Sequence, residues 1–210
     1  MKMKCTLCGE DAFLFKTYRE KKYYSCAHCR AVVLHPDYYP SPEDEKKRYL
    51  EHNNDVDDLR CQKFVDPLVR EVKRSFSADH RGLDFGAGTG PVITKLLRES
   101  GYNIKLYDPY FWNEPERLEE TYDYIAACEV IEHFVKPYEE FKLLKSLLNN
   151  NGKLFCKTSI FSYDMNFEEW KYKDDFTHLF FYNTDTLKWI EKTFDFSGLT
   201  ITEELIVFKA

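Results

Sequence analysis

No stretch of this chain approaches the roughly 18 consecutive apolar residues that a membrane-spanning helix requires, so a membrane-embedded protein is not expected. The opening residues Met1-Lys2-Met3-Lys4-Cys5 lack the apolar core of a signal peptide, which points to the cytoplasm. Excess basic charge is missing as well. With a formal net charge of -6 and a pI near 5.6, the surface offers no general attraction for nucleic acid or anionic lipid. What is present suits a globular chain: 210 residues, 43% hydrophobic and 31% charged, are enough for a substantial core. Aromatics reach 17% and crowd the C-terminal third, where they can line a pocket or fill a core.

Cysteine carries the first motif. Cys5-x-x-Cys8 and Cys26-x-x-Cys29 are two knuckles with seventeen residues between them, the spacing of a four-thiolate zinc site. Gly9 supplies turn freedom after the first. Ala12 to Lys16 and Lys22 to Ser25 read as short strands of a ribbon, which the metal stabilises because the segment is too small for a core of its own. Two disulfides are the competing reading, and they would need an oxidising compartment. His28 is not needed to complete four ligands, and the ribbon, which holds several tyrosines, reads as a lid or docking piece before a nucleic-acid reader. Leu34 to Pro42 follows with three prolines and ends the ribbon. Ser41 then caps a helix through Lys46 to His52, with Pro42 in its first turn, and a second helix spans Gln62 to Phe76. Arg48, Tyr49, His52 and Asn53 are pocket candidates there, or simply a solvated helix end.

The organising stretch is Arg81 to Gly90, continuing into Pro91-Val92-Ile93-Thr94-Lys95-Leu96-Leu97: apolar strand, three alternate glycines, helix. Asp84 disfavours a pyrophosphate beside it, and Pro91 stands where a dinucleotide fingerprint would need Gly or Ala. A carboxylate at the strand end and a helix N-terminus beyond it suit a ligand with cationic groups and a carboxylate but no phosphate. S-adenosylmethionine meets both demands. Here the chain resembles the class I S-adenosylmethionine-dependent methyltransferases, over about residues 64 to 208, with Leu83-Asp84-Phe85-Gly86-Ala87-Gly88-Thr89-Gly90 as the first motif. The resemblance implies a Rossmann-like α/β fold of the seven-stranded type, an open and mostly parallel sheet with helices on both faces. It also implies cofactor binding by Asp84, Phe85, Gly86, Ala87, Gly88, Gly90, Asp108, Pro109 and Glu129. Asp108, ending the strand Asn103 to Tyr107 and followed by Pro109, is implied to accept from the ribose hydroxyls; a turn cap is its plainer role. Tyr122 follows Asp108 by only fourteen positions, too few for the usual helix, third strand and loop. Phe111, Trp112 and Leu118 are left as possible adenine walls.

Tyr122 to Cys128 is the next strand, and Glu129-Val130-Ile131-Glu132-His133 stands at its end, in the expected ligand crevice. The Glu-x-x-Glu-His spacing resembles ubiquinone-pathway O-methyltransferases and small-RNA terminal 2′-O-methyltransferases. That resemblance implies a second metal, magnesium, manganese or zinc, on Glu129, Glu132, His133 and the later His178. Ordinary helix-start caps are the alternative. A helix over Pro137 to Leu148, an Asn-Gly turn and a strand over Lys153 to Thr158 follow. Trp170-x-Tyr172 and Asp175-x-Thr177-His178 resemble a broad group of bacterial methyltransferases, many with a cysteine ribbon in front. Among these, Glu132, His133 and above all His178 are the catalytic candidates, an imidazole being able to take a hydroxyl proton near neutral pH. Asn183 to Phe194 reads as the last helix, and Leu199 to Phe208 as closing strands in a span short for a hairpin. Cys61, Cys128 and Cys156 read as thiols without a catalytic role.

Three units are therefore expected: ribbon and linker (1–40), a helical segment (41–80) and a cofactor-binding domain (81–210). The expected activity is methylation of an oxygen on a small-molecule acceptor. An RNA methyltransferase, or a zinc-ribbon interaction protein that merely retains the cofactor, are the alternatives.

Overall fold

A computed structural model describes residues 1–52 and 54–210; Asn53 lies outside the described residues. Among the described residues, eleven strands and five helices follow in chain order. The ribbon contributes β1 (Lys2–Lys4), β2 (Asp11–Tyr18), β3 (Lys21–Cys26) and β4 (Val32–Leu34), and two helices follow, α1 (Pro42–Glu51) and α2 (Leu59–Ser75). Next come β5 (Arg81–Phe85), α3 (Val92–Glu99), β6 (Asn103–Tyr107), β7 (Tyr122–Cys128), α4 (Pro137–Ser146) and β8 (Leu148–Lys157). The chain closes with β9 (Phe180–Phe181), α5 (Thr184–Thr193), β10 (Gly198–Ile201) and β11 (Ile206–Lys209). No helix among the described residues is long and apolar enough to cross a membrane.

The larger sheet has the order β10-β11-β8-β7-β5-β6, parallel from β8 to β6 and antiparallel at β11 and β10. It is the expected open, mostly parallel sheet, with six strands among the described residues. Alternation along β7 splits its two faces. Tyr124 and Ala126 meet Val65, Leu68, Val72, Ile93 and Leu97 of α2 and α3, while Ile125 and Ala127 meet Phe141 and Leu144 of α4 and Leu187 and Ile190 of α5. After β5 the chain goes through α3 to β6 on one side, then returns to β7 on the other. Strand order thus reverses between β5 and β7, where the carboxyl ends of an open sheet leave a crevice.

The shortened stretch after Asp108 forms a bridge to Trp112 and a 3-10 turn, Pro115–Leu118, so β6 remains the sheet edge among the described residues. Two boundaries differ from expectation. The Asn149-Asn150-Asn151-Gly152 stretch is absorbed into β8, with Asn151 at φ 64 inside the strand, rather than turning before it. The closing span does form a full hairpin, because β10 and β11 need only four residues each, with Ile201 opposite Ile206.

The smaller sheet has the order β1-β2-β3-β4-β9, antiparallel throughout. Its last strand comes from residues 180–181, far along the chain. Val32 pairs with Phe181 and Val33 with Phe180, and an aromatic cluster of Tyr23, Phe161, Phe167 and Phe181 fills the space behind. The ribbon is thereby built onto the larger unit.

A candidate active site and a four-cysteine cluster

The loop after β5 is shaped by its glycines. Gly86 and Gly88 have φ of 76° and 62°, values that favour glycine, and a Cβ on Gly86 would lie 2.5 Å from Val130. A Cβ on Gly90 would lie 1.6 Å from the carbonyl oxygen of Asn54, so the segment before α2 rests directly on the loop. Asp84 is buried, and its Oδ2 accepts from the Thr94 hydroxyl at 2.8 Å. Burial pushes its carboxyl up to about 6, against that hydrogen bond. Asp108 accepts from the backbone amides of Gly88, Tyr110 and Phe111 at 2.9, 2.8 and 3.1 Å, leaving about one of its roughly four lone-pair positions for a ligand. It therefore organises the loop, assisted by Trp112, whose Nε1 donates to the Gly88 carbonyl at 2.8 Å. Of the three expected adenine walls, only Leu118 borders the cavity.

That cavity has a volume of about 1650 Å³ and lies along the carboxyl ends of β5, β6 and β7. Asp84, Phe85, Gly86, Ala87, Gly88, Gly90, Asp108, Pro109 and Glu129 all line it, as do Arg48 and Tyr49 from α1 and His52 at its C-terminal end. His133 and His178 line its other end, and Glu132, wholly buried, sits behind them.

The second end is a compact cluster. Tyr172 places its hydroxyl 2.5 Å from Glu132 Oε1, 3.0 Å from Glu129 Oε2 and 2.9 Å from the Thr158 hydroxyl. One phenolic hydrogen cannot serve two carboxylates, so one of the glutamates carries a proton while both contacts persist. Burial, and for Glu129 also the neighbouring Glu132, push both carboxyls up. The Oε2 of Glu132 is buried with no hydrogen-bond partner. His133 Nδ1 lies 2.8 Å from the Thr177 carbonyl and His178 Nδ1 lies 2.6 Å from the Tyr172 carbonyl. Carbonyls only accept, so each Nδ1 carries the hydrogen and each Nε2 keeps its lone pair. Burial lowers His133, and burial with His133 nearby lowers His178 to about 4, so both rings are neutral at pH 7.

Glu132, His133 and His178 offer ligand atoms within 4.8 Å of one another, but Glu129 does not join that group. Of the four expected ligands, three come together, while Glu129 sits at φ 53° and meets the Tyr172 hydroxyl. The region 131–133 is a 3-10 turn, which delivers Glu132 inward and His133 to the cavity. Sequence reasoning noticed Tyr172 only as part of a pattern, because its role depends on the fold bringing it across to the β7 end. The ion pair of Arg48 with Asp175, 2.8 Å, was equally hidden.

The four ribbon cysteines are free thiols, with Sγ atoms of Cys5 and Cys29 3.5 Å apart and those of Cys8 and Cys26 3.4 Å apart. A disulfide would need about 2.05 Å, whereas a tetrahedron with metal–sulfur bonds of about 2.3 Å spaces its sulfurs by roughly 3.8 Å. All four atoms lie within 4.8 Å of one another, so the set fits one tetrahedral cation and the disulfide reading falls.

A glycine cradle at the reversal point of an open parallel sheet, facing a buried His–carboxylate cluster across one cavity, defines a Rossmann-like methyltransferase domain. A family model described as a methyltransferase domain matches residues 47–201, and the chain belongs to that family. No curated protein matches the chain. Among solved structures, human N-acetylserotonin methyltransferase in complex with SAM is similar at 10% identity with a TM-score of 0.55, over 81% of this chain and 59% of that one. Phosphoethanolamine N-methyltransferase 2 of Haemonchus contortus, bound to phosphomonomethylethanolamine and S-adenosylhomocysteine, is similar at 17% identity with a TM-score of 0.52, over 64% and 38%. An O-methyltransferase family protein of Burkholderia thailandensis is similar at 12% identity with a TM-score of 0.50, over 79% and 61%. At these identities the likeness is one of fold, and the chain spans less than two thirds of each of those proteins.

Proposed function

We propose that the protein is an S-adenosylmethionine-dependent methyltransferase that methylates an oxygen of a small, uncharged metabolite. The observation that carries this reading is the single cavity of about 1650 Å³ with the glycine loop and Asp84 at one end and the Nε2 lone pair of His178 at the other. When bound, S-adenosylmethionine supplies an electrophilic methyl group. The close backbone approach at the glycine loop and the remaining lone pair of Asp108 would hold the nucleoside side, and Asp84, when ionised, would balance the cationic amino acid portion. His178 takes the acceptor hydroxyl proton at Nε2, its Nδ1–H fixed on the Tyr172 carbonyl. Alignment is the main contribution the chain makes, since the transfer is a direct displacement. Acids crowd this cavity, among them Glu45, Glu51, Asp58, Glu129, Asp174 and Asp175, against Arg48, Arg60 and Lys171. Such a lining repels a phosphate chain and favours a small neutral acceptor over RNA.

The unpartnered Oε2 of Glu132 favours a second form of the site, a divalent cation shared with His133 and His178, in which His178 Nε2 would be a ligand in place of acting as the base. One carboxylate and two imidazoles suit manganese or zinc better than magnesium, which prefers oxygen. There it would lower the pKa of an acceptor hydroxyl. In the ribbon, Cys5, Cys8, Cys26 and Cys29 would hold a structural zinc.

Elemental analysis of the purified protein, combined with calorimetric titration of S-adenosylmethionine, tests the reading. One zinc per chain and saturable binding that Gly88→Val abolishes are expected. A second metal that disappears in Glu132→Gln would establish the cation. Absence of both zinc and cofactor binding would refute the assignment.

A further inference from the structure

The cysteine cluster and the His178 end of the cavity are joined by a short run of main-chain bonds. Arg30, directly after Cys29, has φ 66°, and its amide donates to the Cys26 carbonyl at 3.0 Å. A left-handed non-glycine residue costs of order 1 kcal/mol and persists only where its surroundings hold it. Its carbonyl, turned outward by that conformation, accepts from Asn183 Nδ2 at 2.6 Å and from the Tyr163 hydroxyl at 2.9 Å. Asn183 is buried and also caps α5 through the Thr186 amide at 3.0 Å. Two residues after Arg30 the chain enters β4, which pairs with β9, and Leu34 donates to the Leu179 carbonyl at 2.9 Å. Leu179 in turn donates to the carbonyl of Glu132 at 2.9 Å.

The segment between Phe161 and Asn183 is thus tied at both ends to the second cysteine knuckle, and it carries Tyr172, Asp175 and His178. A third tie lies in its middle. The Lys173 side chain is wholly buried, its ammonium 3.9 Å from the centre of the Tyr18 ring and hydrogen-bonded to the Glu168 and Trp170 carbonyls. By contrast, no hydrogen bond or ion pair found among the described residues joins residues 1–40 to residues 84–90.

We propose that the four-cysteine cluster is a positioning device for the acceptor half of the site: a metal ion held there fixes Arg30, and through Asn183, Tyr163 and β9 it fixes Tyr172 and His178. The cofactor half is independent of it. This rests on the methyltransferase reading only for the words acceptor and cofactor, since the coupling itself is a statement about which residues lose order when the metal leaves. Without the cation, four thiols at these separations have nothing to hold them, the knuckle turn relaxes, and the Arg30 carbonyl no longer presents itself to Asn183.

The test uses the full chain, purified with zinc, then stripped by a chelator under reducing conditions and re-loaded with Co²⁺. Amide hydrogen exchange is followed by mass spectrometry, and the His178 imidazole is followed by NMR, its signal assigned by its loss in His178→Gln. Stripping is expected to raise exchange across 161–183 by about tenfold or more while 81–108 stays within about twofold, to shift or broaden the His178 signal, and to leave S-adenosylmethionine affinity unchanged. Co²⁺ restores both, with the visible bands of a tetrahedral thiolate site. The paired change Asn183→Ala with Tyr163→Phe keeps the metal and loses the same protection. Protection of 161–183 that survives stripping overturns the proposal, as does protection in a protein purified without metal, or loss of 81–108 in step with 161–183. If S-adenosylmethionine never binds, the methyltransferase reading fails, yet the exchange pattern still decides the coupling.

Discussion

Asp84 shows how a single side chain can be set for a charged ligand. It sits at the end of a parallel strand with one hydroxyl partner, and burial holds its carboxyl at about 6 where an ordinary aspartate has 3.8. The raised value means that Asp84 favours the fold of the unliganded chain below about pH 4 and that this contribution is lost as pH rises through 6. A cationic ligand needs the ionised form. S-adenosylmethionine affinity is therefore expected to fall from pH 7 to pH 5, by up to about tenfold per unit, and Asp84→Asn should give weaker binding with no such slope; calorimetry at several pH values checks both. Tyr172 is the other decisive residue, the common partner of two buried glutamates. Tyr172→Phe removes that donor and should destabilise by about 1–3 kcal/mol, measured by urea denaturation. His178 should keep its anchor, because that anchor is the main-chain carbonyl of residue 172.

Among the elements, α1 is the one least committed to the core. It has no buried residue, and its ties to the body include the Arg48–Asp175 pair, the Tyr110 hydroxyl on Glu45 at 2.6 Å and the Tyr49 ring against His133 at 5.3 Å. Asp175 itself is held well below the usual carboxylate range, since Arg48 and the Thr177 hydroxyl and amide outweigh the cost of burial. Arg48→Ala is expected to raise amide exchange throughout 42–51 while shifting the melting temperature little, because no core is opened. A melt lowered as much as by a core truncation would contradict this. The glycine loop gives the opposite case. Gly90→Ala drives a Cβ into the Asn54 carbonyl and should weaken cofactor affinity by more than about tenfold, whereas Gly101→Ala meets nothing within 4 Å and should cost only about 1 kcal/mol of strain at its φ of 83°. Comparing the two by calorimetry and denaturation separates loop shape from backbone strain.

At the scale of the whole molecule, two sheets share one chain in an interleaved way. Val32, Val33 and Leu34 are buried, and they cover Phe180, Phe181 and Leu179. A shortened chain comprising only 41–210 would expose that aromatic face and the open edge of β9. It is expected to aggregate or to fold without a defined His178 end, which circular dichroism and size-exclusion chromatography would reveal. A monomeric 41–210 with the cofactor affinity and melting behaviour of the full chain would show the ribbon to be separable.

The local parts of this arrangement were legible in the residues. Strand, glycine loop and helix around Asp84 follow from apolar runs, positive-φ demands and a proline in the first turn, all of which act within a few residues. The Cys5, Cys8, Cys26 and Cys29 spacing likewise announces its cluster, since each knuckle is wrapped by its own backbone. The helices and longer strands that the sequence announced have limits within a few residues of those expected, except at 148–157, where pairing with β7 and β11 outweighed the turn preference of Asn-Gly, while the short β1, β4 and β9 were not read at all. What the sequence by itself determined, then, is the nearest-neighbour chemistry: the cradle, the cysteine knuckles and the acid and imidazole at the end of β7. Only the tertiary structure decided that Tyr172 joins Glu129 to Glu132, that Glu129 leaves the candidate metal set, and that β9 binds the ribbon to the His178 end. Those contacts join residues 40 to 153 positions apart, and their partners are chosen by sheet order and buried packing, which local pattern does not encode.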